Sequence, residues 1–442
     1  MGGDGSRRRS RVPAGRVERL ARIGWMAGEL ALGGVAEGVR RLAGAPGEGG
    51  NPFLTGANGR RLARRLSSMR GAAMKLGQLL SMEAEDLLPA EVADALAVLR
   101  ADGDSMPPKQ LHRMLAEAYG SDWETRFLEF DFDPIAAASI GQVHRAIARD
   151  GRQLALKIQY PGIAQSIESD VDNLTTVLRL SRLIPRDIDL SALLDEVKSE
   201  LRREADYHSE ARNLRRYAEL VAEDREFAIP GVHEDLTTSK ILAMDHLPGL
   251  PLEDVCGPEH PPELRDRVGT ALLGLVLREL FVFRFVQTDP NFANYLWLPD
   301  KECIGLLDLG AAREISARLS RSYTRLITAG MQLDRVALGE VAAEMALLSA
   351  DERADRREAF LDFLELVSEP FRHVGPYDFG TSDLAPRARE AATVLAFRHG
   401  LRKPPPPEIL FIQRKIGGTF LLCARLRARV DVRRLAEKTL NT

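Results

Sequence analysis

The pair Asp150-Gly151 narrows the fold more than any other feature of the chain. It lies between two β-type runs, 143–148 and 153–159, and Asp-Gly between such runs is a strong hairpin signal. Another β-type run at 127–132 precedes it. Most of the remaining chain reads as helix. Leu62, Leu66, Met69, Met74, Leu76, Leu79 and Leu80 recur at helical spacing within 59–100, where Pro89 opens a second helix. Further helices are expected over 107–119, 161–183 and 189–222. Strands are expected near 227–233 and 239–246. From 261 onward the chain reads as helical, apart from apolar runs at 295–298 and 303–307. The order implies an α+β protein. A basic arm (1–50) and a helical extension (51–125) precede a small β-rich lobe (126–246) and a larger helical lobe (247–442).

Composition excludes several classes. Of the 442 residues, 45% are hydrophobic and 28% charged, the balance of a folded soluble chain rather than a disordered or collagen-like one. Three cysteines without CxxC spacing argue against a disulfide framework or a zinc site. The most apolar stretch, 271–286, is interrupted by Arg278, Glu279 and Arg284. It is too short and too charged to span a bilayer, and reads as a buried helix. Net charge is −3, yet residues 1–70 hold 14 arginines against five carboxylates. Such an arm suits an anionic surface, or else is a solvated, partly disordered tail, and segment 17–43 has the apolar spacing to lie on a membrane surface. Packing against its own domain is the alternative.

Lysine is scarce, nine against 52 arginines, so Lys157 at the end of Leu154-Ala155-Leu156-Lys157 needs a reason. In a nucleotide site such a lysine reaches the α- and β-phosphates and is held by a helix carboxylate. The helix at 189–222 offers Glu204-Ala205-Asp206 and Glu210. Glu204 and Asp206 cannot share one helix face. Glu204 is therefore expected toward Lys157 and Asp206 toward another cation, with Glu210 the alternative partner. In Asp289-Pro290-Asn291-Phe292-Ala293-Asn294, an Asp is followed five residues later by an Asn, the spacing of a kinase catalytic loop. Asp289 can orient or deprotonate an attacking oxygen, and the Asn294 carbonyl can hold a metal. Asp308, in Leu307-Asp308-Leu309-Gly310 after an apolar run, offers a second hard oxygen ligand suited to Mg²⁺. Singly, these are ordinary turn residues. In this order, with 14 residues from Asn294 to Asp308, they form a set. Where a kinase carries a glycine-rich loop, this chain has Ala136-Ala137-Ala138-Ser139-Ile140-Gly141, which should be stiffer. Lys75-Leu76-Gly77-Gln78 places a glycine inside a helix, at a cost of about 1 kcal/mol, which suggests close packing there.

Together these motifs resemble the UbiB/AarF family of atypical protein-kinase-like proteins, in particular its mitochondrial-type ubiquinone-biosynthesis branch. The likeness runs over residues 55–435 and continues through Phe379-Gly380-Thr381 and Arg414-Lys415-Ile416-Gly417-Gly418. Leu309 stands where the family's metal-binding motif has Phe. The resemblance implies a two-lobed protein-kinase-like fold with an N-terminal helical extension carrying a KxGQ motif (Lys75, Gly77, Gln78). It implies ATP or ADP with Mg²⁺ as cofactors. Ala136, Ala137, Ala138, Ser139 and Lys157 would meet the nucleotide, and Asn294 and Asp308 the metal. Asp289, Lys157 and Glu204 would be catalytic, and Lys75, Gly77, Gln78 and Asp206 regulatory. The activity implied is ATP hydrolysis in support of ubiquinone or related isoprenoid lipid synthesis. Anionic membrane lipid and quinone-precursor lipids are the implied partners, with quinone-biosynthesis enzymes and a homodimer among the assemblies allowed. A phosphotransferase acting on a small molecule or protein, and a nucleotide-binding scaffold, are the competing readings. Nucleic acid is not expected, since the body is acidic with no aromatic-studded basic groove. The expected location is the cytoplasmic face of a bacterial inner membrane, held peripherally, with the mitochondrion as alternative.

Overall fold

The computed structural model describes residues 106–180, 191–349, 351–398 and 406–441. The basic arm, segment 17–43, the helical stretch 59–100 and the Lys75, Gly77 and Gln78 motif lie outside the described residues. The chain divides into two units. One takes residues up to Arg212 together with Gly231–His246, and the other takes Asn213–Pro230 and Leu247–Thr442.

The described part of the first unit begins with α1 (Pro108–Tyr119), whose proline at the first helical position needs no intrahelical partner. An antiparallel sheet follows in the order β1 (Phe127–Phe130), β2 (Gly141–Ala148), β3 (Gln153–Gln159) and β4 (Ile241–Asp245). The two-residue strand Ala136–Ala137 also pairs with β2. The Asp150-Gly151 turn closes β2 onto β3 as a three-residue loop. Ala148 and Arg152 are bonded across it, and Gly151 takes φ +89°, the left-handed position that a glycine fills without strain. β3 is buried along nearly its whole length. Helices α2 (Ile163–Leu180), α3 (Ser191–Glu204) and α4 (Tyr207–Leu220) follow. The single helix expected over 189–222 is thus two helices, broken at Ala205-Asp206. Asp206 caps the second of them, accepting from the Ser209 N–H at 2.9 Å, a role short acidic side chains favour. The division between units falls within α4.

The second unit is mainly helical. α5 (Pro262–Arg278) runs into a π-helical turn, Glu279–Phe283, and then β5 (Phe285–Gln287). The buried helix expected through 271–286 therefore ends early. Arg284 adopts φ 50°, a left-handed residue that stops the helix and turns the chain into a strand. β6 (Tyr295–Leu298) and β7 (Cys303–Leu306) form a hairpin, flanked by the two-residue strands Leu250–Pro251 and Phe227–Ala228. β5 pairs with β8 (Ala312–Glu314). Then come α6 (Ala317–Gln332), α7 (Arg335–Glu344), α8 (Ala354–Val367), α9 (Leu384–Phe397), α10 (Pro407–Leu426) and α11 (Val432–Leu440). The core under β5 packs Val276, Leu280 and Val286 against Leu319, Tyr323, Val341 and Ile412. Among the described residues, no helix is long and apolar enough to cross a membrane.

Candidate functional site

The candidate residues fall into two sets, one in each unit. In the first unit, Lys157 lies in the middle of the sheet, opposite Val143 on one side and Leu242 on the other. It is 5% exposed. Its Nζ donates to Glu210 Oε1 at 2.7 Å and lies 5.5 Å from the Tyr207 ring centroid. Glu210 is wholly buried, so the pair is formed away from water, where its geometry rather than its charge alone decides its worth. The carboxylate holding Lys157 is thus Glu210, the alternative, rather than Glu204 as first expected. The reason is the helix break. Glu204 ends α3, whereas Glu210 belongs to α4.

Glu204 is bonded to the alanine-rich loop instead, where it accepts a hydrogen bond from Ser139 Oγ. Ala136 and Ala137 pair with Val143 and Gln142, and the Ala138 N–H closes a turn onto the Gly141 carbonyl at 2.9 Å. The loop is therefore tied down by a strand, a turn and the end of α3. Gly141 serves close approach rather than flexibility, because a Cβ there would sit 2.3 Å from the Ile158 carbonyl oxygen. Asp206 is exposed and caps α4. Arg212 on α4 approaches its carboxylate at 4.0 Å.

In the second unit the β6–β7 hairpin sets the spacing read from the sequence. Tyr295 pairs with Leu306, so Asn294 just before β6 faces the residues just after β7. The Leu307 N–H donates to the Asn294 carbonyl at 2.9 Å, which brings Asp308 beside it. Asn294 Nδ2 donates to the Asp289 carbonyl at 2.9 Å and to Asp289 Oδ2 at 3.3 Å. With its amide nitrogen so engaged, the amide oxygen Oδ1 is directed the other way. Asp308 Oδ1 accepts from the Gly310 N–H at 3.0 Å. The structure thus brings Asp289, Asn294 and Asp308 together.

An amide oxygen and a carboxylate are hard donors that fit Mg²⁺, which typically takes one or two protein oxygens and completes its shell with phosphates and water. Among the described residues no cluster of three or more His, Cys, Asp or Glu side chains could hold a metal ion by itself. The donor set therefore fits a metal that shares its ligands with a phosphate substrate.

Beneath this loop lies a buried network that sequence reasoning missed. Lys415 on α10 is 1% exposed. Its Nζ is 3.2 Å from Glu279 Oε2 and donates to Gln287 Oε1 at 3.0 Å. Burial disfavours the Lys415 charge, but Glu279 and Tyr295 outweigh it, and the ammonium is held above its ordinary value. Glu279 Oε1 accepts from Tyr217 Oη at 2.6 Å and from the Gln287 N–H at 3.0 Å. The sequence signal was the charged Glu279 inside an apolar stretch. In the sequence it reads as an interruption of an apolar run.

An antiparallel sheet carrying a helix-held lysine, and a helical unit carrying the Asp289, Asn294 and Asp308 loop, are the two halves of a protein-kinase-like fold. Residues 98–342 match the ABC1 atypical kinase-like domain. The mitochondrial atypical kinase COQ8B of Rattus norvegicus is 38% identical over 441 residues, covering 99% of this chain and 82% of that protein. The mitochondrial atypical kinase COQ8 of Saccharomyces cerevisiae is 33% identical over 431 residues, covering 96% of this chain and 85% of that one. Among solved structures, the Rv3197–erythromycin complex from Mycobacterium tuberculosis superposes with a TM-score of 0.60 at 25% identity, covering 84% of this chain and 93% of that one. The chain belongs to the ABC1 atypical kinase-like family, which includes the UbiB, AarF and COQ8 proteins.

Proposed function

We propose that this protein is an ATP- and Mg²⁺-dependent atypical kinase-like ATPase that supports synthesis of ubiquinone, or a related isoprenoid lipid, at a membrane surface. The observation that carries the chemistry is the hairpin-set grouping of Asn294 and Asp308 beside Asp289. In this reading Lys157, fixed by Glu210, offsets charge on the nucleotide phosphates, and Asp289 orients the attacking water. Asn294 and Asp308 hold the Mg²⁺, whose contribution is to neutralise charge developing on the phosphates. The tethered alanine loop supports a nucleotide site that is fixed in shape. The ubiquinone assignment rests on the likeness to the COQ8 atypical kinases of rat and yeast, both named as mitochondrial. They favour the mitochondrion, the alternative location, over the bacterial inner membrane expected first. Anionic lipid, quinone precursors and quinone-biosynthesis enzymes are the proposed partners.

The test is phosphate release from ATP and Mg²⁺, with and without anionic liposomes carrying a phenolic quinone-precursor analogue. Release should rise with the liposomes and fall by roughly 100-fold or more in Asp308→Asn. Nucleotide bound without release under every condition would overturn the ATPase reading.

A further inference from the structure

The loop that carries Asp289 is held from below by α10, at three successive points. Lys415 Nζ donates to Gln287 Oε1 at 3.0 Å, and Gln287 Nε2 in turn donates to the Asp289 carbonyl at 2.7 Å and lies 3.5 Å from the Asp308 carbonyl. Arg414 Nε donates to the Thr288 carbonyl at 3.3 Å. The third point is a close approach without a side chain: a Cβ on Gly418 would sit 2.2 Å from Pro290 Cγ. Residues 287, 288 and 290 are thus gripped by 415, 414 and 418, within little more than one turn of a single helix.

Lys415 has a particular part in this grip. An ammonium only donates, so its bond to Gln287 Oε1 settles which way the amide faces. The amide nitrogen must then point at the carbonyls of Asp289 and Asp308. Glu279 completes the arrangement. It balances the buried ammonium and also takes the backbone N–H of the same Gln287. A glutamine fixed at both backbone and side chain ties the backbone of Asp289 to that of Asp308.

We propose that Lys415, acting through Gln287, is a positioning residue that holds the backbone at Asp289 and Asp308 in register, with Glu279 as its counter-charge. Its bearing on rate rests on the phosphoryl-transfer reading above, whereas its hold on the loop does not. Losing the hold shifts groups that must be placed to within a fraction of an ångström, and a misplacement of about 1 Å costs about 10²-fold in rate. Nucleotide binding by the first unit's Lys157 is not touched.

The test uses the full chain with Lys415→Met combined with Glu279→Gln, which removes the pair without leaving a buried charge. Gln287→Glu is the second variant. It keeps size but sets an acceptor against two carbonyls, and covers the case in which the double variant fails to fold. Hydrogen exchange over 287–295 should quicken about tenfold, while exchange over β2 and β3 stays as in wild type. Turnover should fall about 10²-fold with KM for ATP within about threefold of wild type. Unchanged exchange over 287–295 overturns the proposal whether or not the wild type turns over. Quickened exchange with undiminished turnover overturns the link to rate. A wild type that releases no phosphate, in a protein whose variants still quicken, overturns the ATPase reading and leaves the positioning role standing.

Discussion

His144 on β2 shows how one side chain's protonation state is dictated by its neighbours. The Met106 N–H donates to Gln142 Oε1 at 2.9 Å, leaving the Gln142 amide nitrogen to face His144 Nε2 at 2.6 Å. His144 Nδ1 in turn meets the Asp131 carbonyl at 2.9 Å. Nδ1 therefore carries the proton and Nε2 accepts. Protonating Nε2 would set donor against donor. Burial is the main cause that holds this imidazole below its ordinary value of 6.5, with the Asp131 carbonyl opposing it. Because the folded value lies below the unfolded one, the contribution to stability is complete above about pH 6.5. It is lost as pH falls through the folded value. The stability gap between wild type and His144→Gln, measured by thermal melting, should therefore narrow as pH is lowered from 7.5 to 5.5. A gap that keeps its size across that range would sink this account.

At the scale of elements, the break between α3 and α4 decides which carboxylate serves Lys157. Asp206 makes the break by capping α4. Asp206→Ala should cost about 1 kcal/mol in urea unfolding, and Asp206→Asn, which also caps, only a few tenths. Equal losses in both variants would show that charge rather than capping matters there. The same break marks what the sequence could and could not convey. The hairpin at Asp150-Gly151 was legible because its turn chemistry is local. So was the spacing of Asn294 and Asp308, since one hairpin sets it. Glu210 was legible only as an alternative. Choosing it required knowing that a polar helical stretch was broken, and Asp206 reads equally well as an exposed helix residue. Lys415 and Glu279 were not legible as partners, because nothing local links residues 136 positions apart that meet only in the folded core.

For the whole molecule the dominant fact is uneven charge. Residues 1–50 carry nine arginines and five carboxylates, while the full chain has a net charge of −3. Each Arg near an anionic surface contributes about 1 kcal/mol at most, and salt screens it. Deleting residues 1–50 should weaken sedimentation with anionic liposomes, more at low salt than at high. Unchanged binding at low salt would remove the arm from the mechanism. The grip of α10 also bears on how the chain is made. The Lys415–Gln287 contact spans 128 residues. At about 5–20 residues per second, a ribosome needs on the order of ten seconds to supply that length. For most of that interval the nascent chain already has Asp289, Asn294 and Asp308 but lacks the helix that ties their backbone together. Synthesis itself delays the moment at which the loop reaches its working shape, and a chain released before α10 would carry every chemical group without their alignment.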